Sequence, residues 1–152
     1  MRLNARVDYA LRAVVELAHH GGDATRPVTA ERLATAQEIP PKFLESILLQ
    51  LRRAGIVQSQ RGPEGGYWLA RPAKEISLAD VIRIIDGPLA YVRGQRPEDV
   101  GYPGPAAALQ EVWIALRASE REILELVTIA DVAAGRLPKR VRTLAADPRA
   151  WV

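Results

Sequence analysis

The feature that most constrains the fold of this chain is a change of apolar period near Gly55. Upstream of it, apolar residues recur at helical spacing in three segments that are separated by glycine and proline pairs. Downstream, two short strand-like runs, 56–60 and 67–70, flank a turn rich in glycine and proline. Few architectures begin with helices of this kind and continue into a hairpin. The pattern predicts a mainly α fold with a small β-hairpin.

Local signals predict where the helices begin and end. Asn4, Thr29 and Ser77 are good N-cap residues, and each stands directly before a helical stripe. The third helix has a proline pair at its start, where proline removes no intrahelical hydrogen bond. The predicted helices therefore run from Asn4 to Gly21, from Ala30 to Gln37, from Pro40 to Gly55 and from Leu78 to about Asp86.

The C-terminal half is predicted to contain a loop and one long helix. Four glycines and four prolines between residues 87 and 105 indicate an irregular segment. A single helix is predicted from about Ala106 to Ala134, closed by Gly135. Its apolar residues repeat every seven positions, which favours pairing with another helix, although the same stripe would also suit an intrachain core. The two seams are Leu109, Leu116, Ile123 and Ala130, and Val112, Leu126 and Ala133.

The order of short helix, tight connection, second helix and hairpin is typical of a winged helix-turn-helix. In that fold the helix after the turn enters the major groove, and the hairpin, or wing, lies along the backbone or in the neighbouring minor groove. The sequence thus predicts a winged helix-turn-helix DNA-binding domain, a loop, a dimerisation helix and a basic tail. Their boundaries are 1–86, 87–105, 106–135 and 136–152.

The net charge of +3 is unevenly distributed. Residues 40–71 carry five basic and two acidic side chains and residues 136–152 carry five and one, whereas residues 72–135 carry six and ten. A basic segment over the predicted third helix and wing suits a polyanion and predicts double-stranded DNA as the partner. Two alternatives stay open: an ordinary solvated surface, and a winged fold that serves as a protein-interaction module.

Composition excludes several other classes of function. The chain has no cysteine, which rules out disulfides, thiolate metal sites, cysteine-ligated iron–sulfur clusters and cysteine nucleophiles. It also has no phosphate-binding loop or metal-spaced cluster, so neither an enzyme nor a cofactor is expected. No apolar run approaches the ~18–20 residues of a membrane span. We therefore expect a soluble, cytoplasmic protein without membrane contact.

The candidate DNA contacts lie on the third helix and the wing. Lys42 and Glu45 stand at the start of the helix, opposite its apolar stripe, where side chains of a recognition helix meet base edges. Gln50, Arg52 and Arg53 lie further along, where they could touch phosphates or face water. Arg61 is expected at the wing tip beside three glycines, whose lack of a side chain would allow close approach to DNA: Gly62, Gly65 and Gly66.

Four motifs occur together along the chain. They are residues 2–13, residues 39–51, the wing sequence RGPEGGYWLARP at 61–72, and ISLADVI at 76–82 followed by Asp86-Gly87-Pro88. In this combination the chain resembles the Rrf-two (Rrf2) family of bacterial transcription regulators, through about Ala134. The resemblance implies a homodimeric, sequence-specific regulator, expected to be a repressor that binds a near-palindromic operator.

The resemblance also implies roles for particular residues. Bases would be read from the start of the third helix, with Arg61 in the minor groove and the long helix as the main subunit contact. The base-reading positions that the resemblance implies are Pro40, Lys42, Phe43 and Glu45. Arg53 is expected as a further DNA contact from its position along the helix alone. The residues expected at the dimer contact are Leu109, Val112, Trp113, Leu116, Ile123, Leu126, Val127 and Ala130.

The expected sensor region departs from the family. Cluster-binding members place three cysteines in the loop after the Asp-Gly-Pro motif, and this chain has none, so no cluster or other metal site is expected. His19 and His20 diverge by about 100° on a helix and are expected at its end rather than as ligands. Tyr91, Tyr102 and Trp113 could instead line a pocket for a small-molecule effector. The alternative is that Trp113 lies in the dimer core and both tyrosines lie on the surface.

Overall fold

The computed structural model describes residues 1–152 and has the predicted mainly α architecture with one hairpin. Four shorter 3-10 turns lie at Ala73–Glu75, Pro97–Asp99, Gly104–Ala106 and Pro148–Trp151. The helices are α1 (Ala5–His19), α2 (Ala30–Gln37), α3 (Pro41–Arg53), α4 (Leu78–Asp86), α5 (Leu109–Leu124), α6 (Ile129–Ala134) and α7 (Lys139–Ala145). The strands are β1 (Val57–Gln60) and β2 (Gly66–Leu69).

Side-chain caps set the starts of α1, α2 and α4, as the sequence predicts. Asn4 Oδ1 accepts from the backbone N–H of Val7 at 2.9 Å. Thr29 caps α2 in the same way. Ser77 and Asp80 form a reciprocal capping box at 3.0 and 3.1 Å. Each cap satisfies backbone donors that the first helical turn leaves unpaired, so these boundaries are decided locally.

The core of the winged domain forms around α1 and α3. Ala10 and Ala13 of α1 are fully buried, and their small side chains let neighbouring helices approach closely. Four side chains of α3 are buried at 1% exposure or less, and such burial contributes roughly 2 kcal/mol each. They are Leu44, Ile47, Leu48 and Leu51. This packing fixes which face of α3 is left for other contacts.

The wing is an antiparallel pair in which Val57 faces Leu69 and Gln60 faces Gly66. Val28 pairs with β2 from the other side, with backbone hydrogen bonds to Tyr67 at 2.9 and 2.7 Å. The chain before α2 is therefore tied to the base of the wing. This third partner was not predicted from the sequence.

The prediction of one helix from Ala106 to Ala134 is wrong. The chain forms α5 and α6 with a break at residues 125–128. Thr128 and Asp131 form a capping box, at 2.9 and 3.1 Å, that starts a new helix. The end of the break pairs with the segment before α4. The backbone N–H of Leu78 donates to the carbonyl of Val127, and that of Ile129 donates to the carbonyl of Ile76.

The break also changes the role of predicted dimer residues. Val127 is buried at 2% exposure inside its own chain, as is Ile129, which belongs to the core of the winged domain. Val127 is therefore not available to a second subunit. Ala130 is half-buried on α6, which packs against α1. The seven-residue repeat could not show that Ala130 packs within its own domain, because a helix buried there needs the same apolar stripe.

The remaining elements lie outside the winged core. Residues 87–105 are irregular apart from two 3-10 turns, as predicted. None of the α5 residues is buried, and this helix packs mainly on the turn at Pro97–Asp99 and on α4. The basic tail forms α7, where Arg140 donates to Glu122 of α5 at 3.0 Å. None of the helices combines the length and the apolarity required to cross a bilayer.

Candidate nucleic-acid interface

The start of α3 presents three exposed side chains while its apolar stripe is buried. Pro41 occupies the first turn, and the preceding Pro40 is exposed and provides no side-chain cap. Lys42 and Glu45 are exposed and make no hydrogen bond or ion pair within the chain. Their polar groups are available to an external partner. A cationic donor and a carboxylate acceptor in these positions can pair with base edges or phosphates.

Phe43 lies beside these two residues and is 51% exposed. Its ring contacts Tyr9 of α1 edge-on, with 5.9 Å between centroids. Arg12 lies over the other aromatic ring of this pair, 4.9 Å from the Tyr9 centroid, and donates to the carbonyl of Gln37 at 2.6 Å. Phe43 is thus supported from behind and can make apolar contact with a thymine methyl. The supporting role of Tyr9 and Arg12 was not predicted.

Gln50 is turned inward. Its side-chain amide donates to the carbonyl of Ile84 at 2.7 Å and accepts from Arg6 at 2.8 Å. The expectation that it touches phosphate or faces water is therefore wrong, because these contacts join α3 to α1 and α4. Arg52 donates to Ser59 of the wing at 3.1 Å. Arg53 is exposed with no partner within the chain, so it stays available to DNA.

Arg61 follows β1 directly and is exposed with no partner within the chain. Gly62 beside it has a φ of +113°, and a side chain there would meet open space. Gly65 and Gly66 are different, because an added Cβ would lie 2.1 Å from the Gln60 carbonyl oxygen or 2.7 Å from the Val28 backbone. Glycine at these two positions is required by the turn and by the pairing with Val28, which gives them a structural role independent of DNA.

A polar cleft of about 550 Å³ lies behind the wing. Arg26 and Arg32 line it together with His19 and His20, and Glu64 contributes one acidic side chain. His20 contacts Glu16 at 3.1 Å, a helix-end contact of the kind expected. The cleft adds two arginines beside the wing that sequence reasoning did not select. Sequence reasoning missed them because the pairing of Val28 with β2, which brings this loop to the wing, joins segments that are remote in sequence.

The face of α5 is apolar and uncovered. Leu109, Val112 and Leu116 are exposed and share one face, and Val112 is 53% exposed. Leu126, just beyond the helix, is exposed as well, whereas Trp113 and Ile123 are half-buried. Five of the eight predicted dimer residues therefore lie on α5, outside the winged core. A sixth, Leu126, lies just past the end of the helix. Val127 and Ala130 belong to the segment that packs on the winged domain.

A cavity of about 500 Å³ lies between the N-terminal segment, the loop after α4 and α5. Tyr91 and Trp113 line it, as the sequence suggested. Tyr102 does not line the cavity. Its hydroxyl instead accepts a hydrogen bond from the Trp113 indole at 3.0 Å.

Ion pairs connect α5 to α4 and to the loop before α5. Glu125, at the end of α5, accepts hydrogen bonds from Arg83 of α4 and from Arg121. These hydrogen bonds lower the pKa of Glu125. Glu98 of the loop pairs with Arg117, and its pKa is lowered first by a backbone hydrogen bond and further by Arg117. Both carboxylates are therefore held in their charged form.

Comparisons with known proteins agree with this geometry. The family Rrf2, described as "Iron-dependent Transcriptional regulator", matches residues 3–135. A predicted HTH-type transcriptional regulator of Mycobacterium tuberculosis is 54% identical over 150 residues, which is 99% of this chain and 92% of the relative. The HTH-type transcriptional regulator CymR of Bacillus subtilis is 31% identical over 133 residues, 88% of this chain and 90% of the relative.

Two solved structures share the fold over most of the chain. CymR (YrzC), the global cysteine regulator of B. subtilis, superimposes with a TM-score of 0.74 at 29% identity, covering 88% of this chain and 97% of that one. IscR of T. potens gives a TM-score of 0.71 at 26% identity, covering 100% of this chain and 97% of that one. The likeness extends beyond the winged domain to the C-terminal helices.

The residues present do not fit the iron named in the family description. An iron–sulfur cluster needs thiolate ligands, and the chain has no cysteine. No group of three or more His, Asp and Glu side chains converges on a point where a metal ion could be held. Both histidines lie at the end of α1 and line the cleft behind the wing, not the cavity beside α5.

The fold, the exposed start of α3 and the wing place the chain among winged regulators. The family match covers the winged domain and α5, and the relatives extend over nearly the whole chain. The chain belongs to the Rrf2 family and is a DNA-binding transcriptional regulator, not an enzyme.

Proposed function

We propose that the protein is a homodimeric repressor that binds a pseudo-palindromic operator, with one winged domain on each half-site. The observation that carries this proposal is the combination, on one chain, of an unpartnered recognition surface with an uncovered apolar helix face. A two-fold dimer repeats the recognition surface, and DNA with two-fold symmetry presents matching half-sites.

The apolar face of α5 supports a helix contact between subunits. The helix has 16 residues, about 24 Å, and buries none of them within the chain. An exposed stripe that contains Leu109, Val112 and Leu116 is unfavourable in water, and pairing with the same stripe of a second copy removes it from solvent. Ile123 and Leu126 extend the stripe toward the winged domain.

The DNA contacts follow from exposure and chemistry. Lys42 would donate to a base edge or phosphate, and Glu45 would accept from a cytosine amino group. Phe43 would contact a thymine methyl, with Pro40 at the edge of the same surface. Arg53 would reach phosphate, and Arg61, next to the open turn at Gly62, would enter the minor groove. A dimer bound in this way across a promoter represses transcription by excluding the polymerase.

We further propose that a small molecule in the cavity beside α5 modulates DNA binding. Asp86 lines this cavity and accepts a hydrogen bond at 3.1 Å from Asn4, which also caps α1. In the first turn of α1, Arg6 donates to Ser46 and Gln50 of α3. A ligand that shifts the N-terminal segment therefore acts on residues in direct contact with the recognition helix.

Protection of DNA from the gene's own upstream region tests the repressor proposal. We expect two protected half-sites separated by about one helical turn or a multiple of it. Sedimentation should give the mass of a dimer, and transcription from that promoter in vitro should fall when the protein is added. A monomer that protects no fragment would instead favour the protein-interaction alternative, and increased transcription would indicate an activator.

A further inference from the structure

The cavity beside α5 has the size and lining of a small-molecule site. Its volume is about 500 Å³, within the range of pockets that hold organic ligands. Most of its lining is apolar, including Leu3, Leu89 and Leu116. Trp113 adds an aromatic surface, and its N–H is already used by Tyr102. Because most of the lining is apolar, the few polar groups determine which polar groups a ligand must carry.

Glu120 is the least exposed charged residue of the lining. Its side chain is 11% exposed, and its Oε2 is shielded from solvent with no hydrogen-bond partner. The one cation within 4.0 Å is the amino group of Met1, at 4.0 Å from Oε1, which exceeds hydrogen-bond distance. A buried carboxylate oxygen without a donor is strongly unfavourable. The group that completes this site is therefore a hydrogen-bond donor.

The surroundings of Glu120 select the kind of donor. A carboxylate makes its strongest hydrogen bonds with cationic N–H groups. Tyr91 and Trp113 lie in the same lining, and aromatic rings attract ammonium groups and pack against apolar bodies. An anionic group placed against Glu120 would be repelled by its carboxylate. These properties together describe a protonated amine attached to an apolar body.

We propose that the cavity binds a small organic amine, whose ammonium donates to Glu120 and whose apolar body contacts Tyr91 and Trp113. Its effect on DNA rests on the proposed function above, whereas its binding does not. The other charged side chains in the lining, Arg2, Arg93 and Asp86, are exposed to solvent. The two arginines disfavour a second cationic group on the ligand, so its outer end is neutral or anionic.

Calorimetric titration of the full chain with amines of different bodies tests the proposal. The probes are phenethylamine, tryptamine and isoamylamine, with phenylacetate as the anionic counterpart. We expect one amine per chain to bind for at least one probe, with a shift of the Trp113 indole N–H resonance, and no binding of phenylacetate. Absence of binding for all three amines, or equal binding of phenylacetate, would overturn the proposal.

Variants locate the binding to Glu120. Glu120→Gln keeps the shape and removes the charge, and it should weaken amine binding at least tenfold, since hydrogen bonds to charged groups are the strong ones. Tyr91→Ala should weaken it several-fold. Glu111→Gln is the matched control, because Glu111 is an exposed acid of the same helix without an ion pair. Unchanged affinity in Glu120→Gln would contradict the assignment.

A second copy of the chain is the competing source of a donor, because α5 also carries the proposed subunit contact. Sedimentation of Glu120→Gln separates the two. If Glu120→Gln remains dimeric, the donor to Glu120 does not come from a second copy, and the ligand site is supported. If Glu120→Gln weakens the dimer and the wild-type protein binds none of the amines, the proposal is overturned. DNA binding is measured separately, without ligand. Amine binding without DNA binding would reject the repressor proposal and leave the amine site standing. DNA binding without amine binding would reject the amine site and leave the repressor proposal standing.

Discussion

The guanidinium of Arg6 donates to the side-chain oxygen of Gln50 at 2.8 Å, which joins the first turn of α1 to the second half of α3. The same guanidinium group donates to Ser46 at 2.9 Å, and Gln50 continues the connection to the carbonyl of Ile84. The orientation of α3 is therefore held by polar contacts as well as by its buried stripe. This network lies between the N-terminal segment and the surface proposed to read DNA.

Removal of this network should weaken DNA binding, although its residues are not expected to contact DNA themselves. We expect Arg6→Ala to reduce the free energy of unfolding by about 1–2 kcal/mol and operator affinity several-fold, since charge-assisted hydrogen bonds are lost. Urea denaturation and a DNA titration measure the two effects. A double-mutant cycle with Gln50→Ala should give a coupling of about 0.5–1.5 kcal/mol. Strict additivity of the two variants would show that the contact contributes nothing.

The start of α3 should carry sequence discrimination. We expect Lys42→Ala to lower operator affinity by about tenfold and to reduce its salt dependence, because a cation contact releases counterions from DNA. Glu45→Ala should relax the preference at one base pair more than it lowers affinity. The control is Lys74→Ala, an exposed lysine on the 3-10 turn that contacts α6. Equal losses for Lys42→Ala and Lys74→Ala would refute the assignment.

In the wing, different residues should determine DNA affinity and the stability of the fold. Arg61→Ala should leave the free energy of unfolding within about 0.5 kcal/mol of the wild type, as is usual at exposed positions, and should lower operator affinity. Gly66→Ala should instead destabilise the fold by more than about 2 kcal/mol, because its Cβ would lie 2.7 Å from the Val28 backbone. Gly101→Ala is the control, since an added Cβ there meets nothing within 4 Å. Thermal unfolding of the three variants measures these stabilities. A Gly66→Ala variant as stable as Arg61→Ala and Gly101→Ala would contradict the structural role of Gly66.

The apolar face of α5 should determine the oligomeric state. We expect Val112→Glu to convert the dimer to a monomer and to lower operator affinity at least tenfold, since a charge would be placed in a helix contact and two linked domains would become independent. Ala118→Glu changes an exposed position on the other side of α5 and should stay dimeric. Light scattering at several protein concentrations measures the mass. A Val112→Glu dimer as stable as the wild type would place the subunit contact elsewhere.

The contact between α4 and α5 should be sensitive to acid. Glu125 accepts hydrogen bonds from Arg83 and Arg121, which lower its pKa from 4.5. A carboxylate with a lowered pKa in the folded state stabilises the fold at pH above its unfolded value, and the contribution is lost as pH falls through the folded value. Because Glu125 is 38% exposed, solvent screens the effect and keeps it small.

Glu125→Gln should therefore lower the free energy of unfolding slightly at pH 7 and have no effect near pH 3. Urea denaturation at the two pH values measures this. An equal difference at both pH values would show that the carboxylate charge is not what stabilises the contact. Glu111→Gln again serves as the neutral control on α5.

Elements that depend on nearby residues were predicted well from the sequence. Asn4, Thr29 and Ser77 begin helices because each side chain satisfies a backbone donor three residues away. The exposed residues at the start of α3 were found because the apolar stripe fixes the opposite face. The roles of Gln50 and Gly66 were not found, because their partners, Ile84 and Val28, are remote in sequence.

By itself, the sequence determined the order of helices and hairpin, the helix caps, the location of the basic segment and the absence of thiolate ligands. These features follow from residue identity and short-range chemistry. Tertiary structure decided which apolar stripe is covered. Val112 and Val127 were both expected at the dimer contact, yet one is exposed on α5 and the other is buried against the segment before α4. It also placed Glu120 in an apolar cavity, since burial depends on chain segments that meet only after folding.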